Sequence, residues 1–368
     1  MSGIFCFNKF TIILNKNMKK HNFSAGPCIL PQEVFQKSAE AILDFNGMGL
    51  SILEISHRSK DFIAVMDEAR AIVKRLMNLN DDYDVLFLGG GASLQFAMVP
   101  FNLMKENGKA AYLDSGNWAA NAIKEAKKLG TVDVIGSSKE ENYSFIPKIE
   151  EVGAEYDYFH CTSNNTIYGT QIKNFPKTNT LMVSDMSSDI FSRVIDYSKF
   201  DLIYAGAQKN MGPAGTTLVV VKKEILGKSG RVIPSYLDYA QHVAKESMFN
   251  TPPVFAVYAS LLTLQWLENN GGIAAAEERN IAKAKLLYDE IDRNPLFECF
   301  CVPEDRSLMN VSFKITDESK KEAFDNAWKA AGINGLNGHR SLGGYRASLY
   351  NALPIESVQV LVDVMKSI

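Results

Sequence analysis

Between about residue 31 and residue 265, short apolar runs alternate with longer amphipathic ones, and this alternation constrains the fold more than any other feature of the chain. Val85-Leu86-Phe87-Leu88, Ala110 to Asp114, Val132 to Ile135, Tyr156 to Cys161, Thr180 to Asp185, Leu202 to Ala205 and Thr216 to Val221 read as strands. Val34 to Leu43, Phe62 to Leu76, Leu94 to Leu103 and Trp118 to Leu129 read as helices between them. Strands that are apolar on both faces, separated by helices, predict an α/β fold with a mostly parallel central sheet covered by helices.

At 368 residues the chain exceeds the ~250–300 at which single cores stop growing, so a second unit is expected. The last hundred residues change character. A helix is predicted over Ala274 to Asp292, a half-buried strand over Asn310 to Ile315, a helix over Lys320 to Ala331, a strand over Tyr345 to Tyr350 and a closing helix over Ile355 to Ile368. The expected division is a large domain at 18–265 and a smaller α+β domain at 266–368. Residues 1–17 are set apart as an N-terminal extension. Their two apolar runs are too short to span a membrane, and Met18-Lys19-Lys20 looks like a fresh start.

A net charge of −3 argues against a nucleic-acid partner, and no run reaches the ~18 apolar residues of a spanning helix. The five cysteines are odd in number and form no C-x-x-C pair, so neither a disulfide framework nor a metal site is expected. A reducing, cytoplasmic setting fits them better. Cys299 and Cys301 would share one face of a strand and are read as small core residues.

Chemistry is expected where strands end, since ligands of open α/β sheets bind beyond their carboxyl ends. Gly89-Gly90-Gly91-Ala92-Ser93 follows the first strand and opens a helix, whose free N–H groups suit an anion. The spacing matches neither a Walker loop nor G-x-G-x-x-G. Asp185 ends another strand. Lys209 follows Tyr204-Ala-Gly-Ala-Gln208 just after a third, and Trp118 follows Ser115-Gly116-Asn117. Each has an ordinary reading: Lys209 as a surface lysine, Asp185 as a helix cap, Trp118 as core. Together they suit a pyridine aldehyde cofactor. A desolvated lysine forms an imine with an aldehyde. A carboxylate beside the pyridine nitrogen keeps it protonated and makes the ring an electron sink. An aromatic face can cover the ring.

The segment Tyr204-Ala-Gly-Ala-Gln-Lys-Asn-Met-Gly-Pro-Ala-Gly215 resembles the lysine segment of the phosphoserine aminotransferases, a branch of the class V, fold-type I pyridoxal-phosphate enzymes. Asn22-Phe-Ser-Ala-Gly-Pro27, Glu54-Ile-Ser-His-Arg58, Asn250-Thr-Pro-Pro253 and the stretch from Gly338 to Ala352 resemble the same family, so the likeness runs from residue 22 nearly to the end. It implies roles for individual residues. Lys209 would carry pyridoxal 5'-phosphate as a Schiff base and later move the proton at the substrate Cα. Asp185 would pair with the ring nitrogen, Trp118 would stack on the ring, and Thr166 would bond its phenolic side. Ala92, Ser93 and Gln208 would hold the cofactor phosphate, with Asn250 and Thr251 of a second subunit completing that site in a homodimer. Arg346 would bind the substrate α-carboxylate. His57, Arg58, His339 and Arg340 would grip the substrate phosphate or the side-chain carboxylate of glutamate, as suits their chemistry toward oxyanions.

One departure stands out. The turn Gly89-Gly-Gly-Ala-Ser-Leu-Gln95 lacks the arginine that some members of the family carry there, which leaves the phosphate grip to the two His-Arg pairs. The reaction implied is ping-pong transfer between L-glutamate and 3-phosphohydroxypyruvate, giving O-phospho-L-serine and 2-oxoglutarate. It serves serine synthesis, and in many bacteria a phosphorylated threonine derivative serves pyridoxine synthesis. The rivals are an alanine–glyoxylate-type aminotransferase, a cysteine desulfurase, and a cofactor carrier without turnover. A desulfurase would want a cysteine in a mobile loop, and small unphosphorylated substrates would not require two His-Arg pairs.

Overall fold

The computed structural model describes residues 20–368, and the extension expected at 1–17, with Cys6, lies outside the described residues. Seven strands form one sheet: β1 (Tyr83–Leu88), β2 (Lys109–Asp114), β3 (Thr131–Ser137), β4 (Tyr158–Thr162), β5 (Leu181–Asp185), β6 (Leu202–Gly206) and β7 (Thr217–Lys222). Their spatial order is β1-β7-β6-β5-β4-β2-β3. β7 runs antiparallel to both neighbours and every other pairing is parallel. The sheet is therefore mixed and mostly parallel, as the apolar runs predicted.

Alternate residues of the strands face two separate cores. Val85, Phe87, Phe159, Ile203 and Val220 pack with α2 (Lys60–Met77) and α6 (Val254–Asn269). Leu86, Tyr112, Tyr158, Tyr204 and Val219 pack with α3 (Gly91–Leu103), α4 (Asn117–Ala126) and α5 (Tyr239–Ala244). Burial of each large apolar side chain contributes roughly 1.5–3 kcal/mol, so both faces are firmly held. α2 shows how sequence sets such an element. The Ser59 hydroxyl caps it by accepting from the Phe62 N–H, Phe62, Val65, Met66, Ala69, Ile72 and Val73 form its buried stripe, and Asn78 ends it in a left-handed conformation. A further helix, α1 (Gln32–Leu43), packs on α6, which continues past residue 265, where the large domain was expected to end.

A third core lies beside these two. Three antiparallel strands, β8 (Phe297–Cys299), β9 (Asn310–Ile315) and β10 (Tyr345–Ser348), pack under α7 (Gly272–Arg293), α8 (Lys321–Ala330) and α9 (Ile355–Lys366). Cys299 ends β8, and Cys301 lies beyond it, so the two do not share a strand face as expected. The chain's beginning belongs to this core: His21 and Asn22 pair in parallel with Ile333 and Asn334, and Phe23 is fully buried there. That pairing carries residues 25–28 across to the carboxyl ends of the large sheet.

Candidate active site

A cavity of about 330 Å³ lies at those carboxyl ends. Five elements deliver its walls. β1 ends at Leu88, and Gly89-Gly90 turns the chain into α3. Gly90 has a φ of 91°, and a Cβ there would meet the Leu94 side chain at 2.5 Å, so the turn requires glycine. Gly91, Ala92 and Ser93, at the start of α3, line the cavity with N–H groups that lack partners within the helix. β2 ends at Asp114, and Trp118 enters from the first turn of α4. Gly116 lets α4 begin close to Asn165, since a Cβ there would meet the Asn165 amide at 2.3 Å.

β4, β5 and β6 supply the floor. Thr162 lies in register with Asp185, and Asp185 with Tyr204. The Asp185 carboxylate is buried and accepts the Ser187 N–H at 2.9 Å. Burial raises its pKa, against the Ser187 hydrogen bonds and the charge of Lys209. Lys209 follows β6 and donates from Nζ to the Thr166 hydroxyl at 3.0 Å. Burial lowers its pKa to about 8, opposed by Asp185 and reinforced by Arg346. An amine so placed has a far larger neutral fraction near physiological pH than an ordinary lysine, and that fraction can attack a carbonyl carbon.

Arg346 reaches the cavity from β10 in the smaller sheet and donates to the Thr166 carbonyl at 3.3 Å. Among the described residues it makes no ion pair, so its guanidinium remains open to an anion.

The expected site residues thus divide. Ala92, Ser93, Trp118, Thr166, Asp185, Gln208, Lys209, His339 and Arg346 line one cavity. His57, Arg58, Asn250, Thr251 and Arg340 do not; of these Arg58, Asn250, Thr251 and Arg340 are exposed and His57 is half-buried. The structure adds Ala25, Gly26, Phe96, Thr162, Asn164, Ser187 and Ser188 to the lining. Ser187, Ser188 and Asn164 sit just past strand ends and were readable on that ground. Ala25 and Gly26 were not, because only the pairing of residues 21–22 with 333–334 brings them there. Ser187 also binds β5 to β6 by accepting the Gly206 N–H at 3.1 Å, and Asn164 donates to the Ser188 hydroxyl and to Asn310 at 2.8 Å each.

The donor set fits a phosphorylated pyridine aldehyde. It combines a helix start for a phosphate, a neutral-leaning amine for the aldehyde, a buried carboxylate for a ring cation and an aromatic side chain at the wall. Trp118 Nε1 and the Thr162 hydroxyl, both on the lining, are buried without a protein partner, as atoms awaiting a polar ligand would be.

Known proteins share this sequence and this fold. Over 352 residues, 95% of this chain and 99% of the other, the sequence is 70% identical to a phosphoserine aminotransferase of Flavobacterium psychrophilum. The phosphoserine aminotransferase structure from Bacillus circulans subsp. alkalophilus superposes with a TM-score of 0.91 at 42% identity, covering 95% of this chain and 98% of that one. A PLP-bound phosphoserine aminotransferase from Trichomonas vaginalis does so with a TM-score of 0.87 at 34% identity, covering 95% of this chain and all (100%) of that one. The family model for class-V aminotransferases matches residues 20–361, which span the large sheet, the cavity and the smaller sheet alike. By sequence and by fold, then, the chain belongs to the class-V aminotransferases, pyridoxal-phosphate enzymes of fold-type I.

Proposed function

We propose that the chain transfers an amino group between L-glutamate and 3-phosphohydroxypyruvate, giving O-phospho-L-serine and 2-oxoglutarate. The observation that carries this reading is the meeting of Lys209, Asp185, Trp118 and an ion-pair-free Arg346 in one cavity, in a chain 70% identical to a phosphoserine aminotransferase. Pyridoxal phosphate, when bound, supplies the electron sink that makes the substrate Cα proton removable. The residues do the rest. The start of α3, with Ala92, Ser93 and Gln208, holds the cofactor phosphate. Asp185 keeps a positive charge on the ring nitrogen, and Thr166 holds the opposite side. Arg346 orients the substrate by its α-carboxylate. Lys209 would be the base that takes the proton from the substrate Cα and holds it for return.

The test is a coupled assay with O-phospho-L-serine and 2-oxoglutarate, run beside L-serine and L-alanine. Two charge-assisted hydrogen bonds to the substrate phosphate predict roughly hundredfold or greater preference in kcat/KM for the phosphorylated substrate. Turnover indifferent to the phosphate would sink the roles given to His57, Arg58, His339 and Arg340 and leave a broader class-V transaminase.

The same reading calls for a homodimer with a shared site. His57 and Arg58 lie off their own cavity, and Asn250 and Thr251 are exposed, so these four serve a ligand across an interface. Among the described residues, six of the thirteen exposed large apolar side chains (Phe35, Ile42, Leu43, Met48, Leu50 and Leu53) fall in the segment that leads to His57. Such a concentration marks a surface to be covered. Mixing an inactive Lys209→Ala protein with a His57→Ala/Arg58→Ala protein should then restore activity through hybrid dimers. A mixture no more active than the average of its two parents, with hybrid dimers formed, would exclude a shared site.

A further inference from the structure

The loop from Gly338 to Gly344 brings His339 to the cavity, and its internal bonds decide how that ring is protonated. The loop closes on itself: Gly338 N–H donates to the Gly344 carbonyl at 2.9 Å, and the His339 carbonyl accepts from Leu342 and Gly343 at 2.9 and 2.8 Å. Leu342 packs on the cluster of Tyr143, Ile167 and Tyr168 that also holds Trp118. Within the loop the Ser341 backbone N–H donates to His339 Nδ1 at 3.2 Å. A backbone N–H can only donate, so Nδ1 must offer a lone pair, and a neutral ring then carries its proton on Nε2. The Ser341 hydroxyl lies 2.7 Å from the same Nδ1. That hydroxyl accepts from Asn117 Nδ2 at 3.3 Å, which leaves its own proton for Nδ1. Asn117 is turned that way by Tyr168, whose hydroxyl donates to Asn117 Oδ1 at 3.4 Å. With Nδ1 committed to the loop, Nε2 is the ring nitrogen left for the cavity.

We propose that Ser341, braced by Asn117, is a positioning residue that fixes the His339 imidazole in its Nε2–H form and so presents a neutral donor to an oxyanion of the substrate. The inference rests on reading the cavity as the site of a phosphorylated or dicarboxylic substrate. It also says why the ring need not be charged to bind an anion. Burial first, and then the positive charges of Arg346 and Arg340, hold its pKa below the ordinary histidine value. The ring contributes a directed hydrogen bond while the arginines contribute the charge. Asn117 and Trp118 are neighbours in the first turn of α4, so one helix start sets both an aromatic wall of the cavity and the histidine.

The test joins a spectroscopic readout to a kinetic one, both on holoenzyme. With five histidines in the chain, 15N-histidine labelling gives a sparse spectrum, and the His339 signals are those lost in His339→Gln. Wild type should show a single Nε2–H form at His339; Ser341→Ala keeps the weaker backbone N–H contact at 3.2 Å but loses the 2.7 Å hydroxyl bond, and should show a measurable Nδ1–H fraction beside the Nε2–H form. Ser341→Ala should raise KM for O-phospho-L-serine about threefold to tenfold, the worth of one net hydrogen bond, with kcat little changed. Ser341→Thr, which keeps the hydroxyl, should restore both. KM for L-alanine, which has no distal oxyanion, should not move. An Nδ1–H ring in wild type, or a Ser341→Ala protein with wild-type tautomer and KM, overturns the proposal. A holoenzyme that ignores O-phospho-L-serine would sink the functional reading instead, and the tautomer measured in that same protein would still decide the role of Ser341.

Discussion

Replacing Lys209 by alanine is expected to lower transamination on the order of ten-thousandfold, the upper end of what a positioned proton-transfer group contributes. The expectation follows from where the amine sits. Its Nζ bonds Thr166, faces the cavity between Asp185 and Arg346, and has no carboxylate at ion-pair distance among the described residues. Burial is the largest influence on it and favours the neutral form. The nearby Asp185 charge pulls the other way but does not win, and the pKa comes down to about 8. The consequence can be read without any turnover. Capture of added pyridoxal phosphate by the cofactor-free protein needs the unprotonated amine. Its rate should rise about tenfold between pH 6 and pH 7, then level off above pH 8. A lysine at its ordinary value would keep gaining rate beyond pH 9. Absorbance of the bound cofactor follows the capture, and a coupled assay follows turnover. A Lys209→Ala protein within tenfold of wild type would remove this residue from the chemistry, and a capture rate still climbing past pH 9 would remove the account of its pKa.

The residues that make this site differ in how visible they were in sequence, and the differences have physical causes. The seven strands of the large sheet were legible because each is a short apolar run that ends in small or polar residues, and Lys209, Asp185 and Trp118 stood out by lying just past such ends. The direction of β7 was not legible, because an apolar run reads the same in either direction. α2 was legible by its apolar stripe, and α6 was missed for want of one. Its sequence, Val254 to Asn269, is apolar on nearly every side, since it is buried against α1, α2 and α7, and so it shows no 3.6-residue stripe. The short strand β8 carries three residues, too few for an alternation to register. Ala25 and Gly26 reach the cavity only through pairing with residues more than three hundred positions away, a contact that no local pattern encodes. His57, Arg58, Asn250 and Thr251 could be named from family likeness, but nothing local in their sequence says that they would lie away from the cavity of their own chain.

Exchange of Asp185 for asparagine should cost roughly a hundredfold to a thousandfold in kcat/KM, the range seen when a preorganised electrostatic partner is removed, while leaving the cofactor bound. The two effects separate because different groups carry them. On the proposed reading, retention would depend on the Lys209 side chain and the start of α3, both of which the substitution leaves in place. Asparagine also keeps the shape of the side chain and an oxygen for the Ser187 N–H, which now donates to Asp185 Oδ1 at 2.9 Å. What asparagine lacks is the negative charge. In the protein alone that charge is disfavoured, because burial raises the Asp185 pKa despite the Ser187 bonds and Lys209. A protonated ring nitrogen would supply the missing counter-charge, and by the same interaction the carboxylate would keep the nitrogen protonated. Removing the carboxylate removes that mutual support and weakens the electron sink. It also removes the largest of the influences that raise the Lys209 pKa, so the midpoint of the capture profile should fall below pH 8 in the variant. A slow enzyme with full cofactor content and an acid-shifted capture profile would support the pairing of Asp185 with the ring. Full activity would exclude it, and an empty site would mean that Asp185 holds the cofactor in place more than it tunes it.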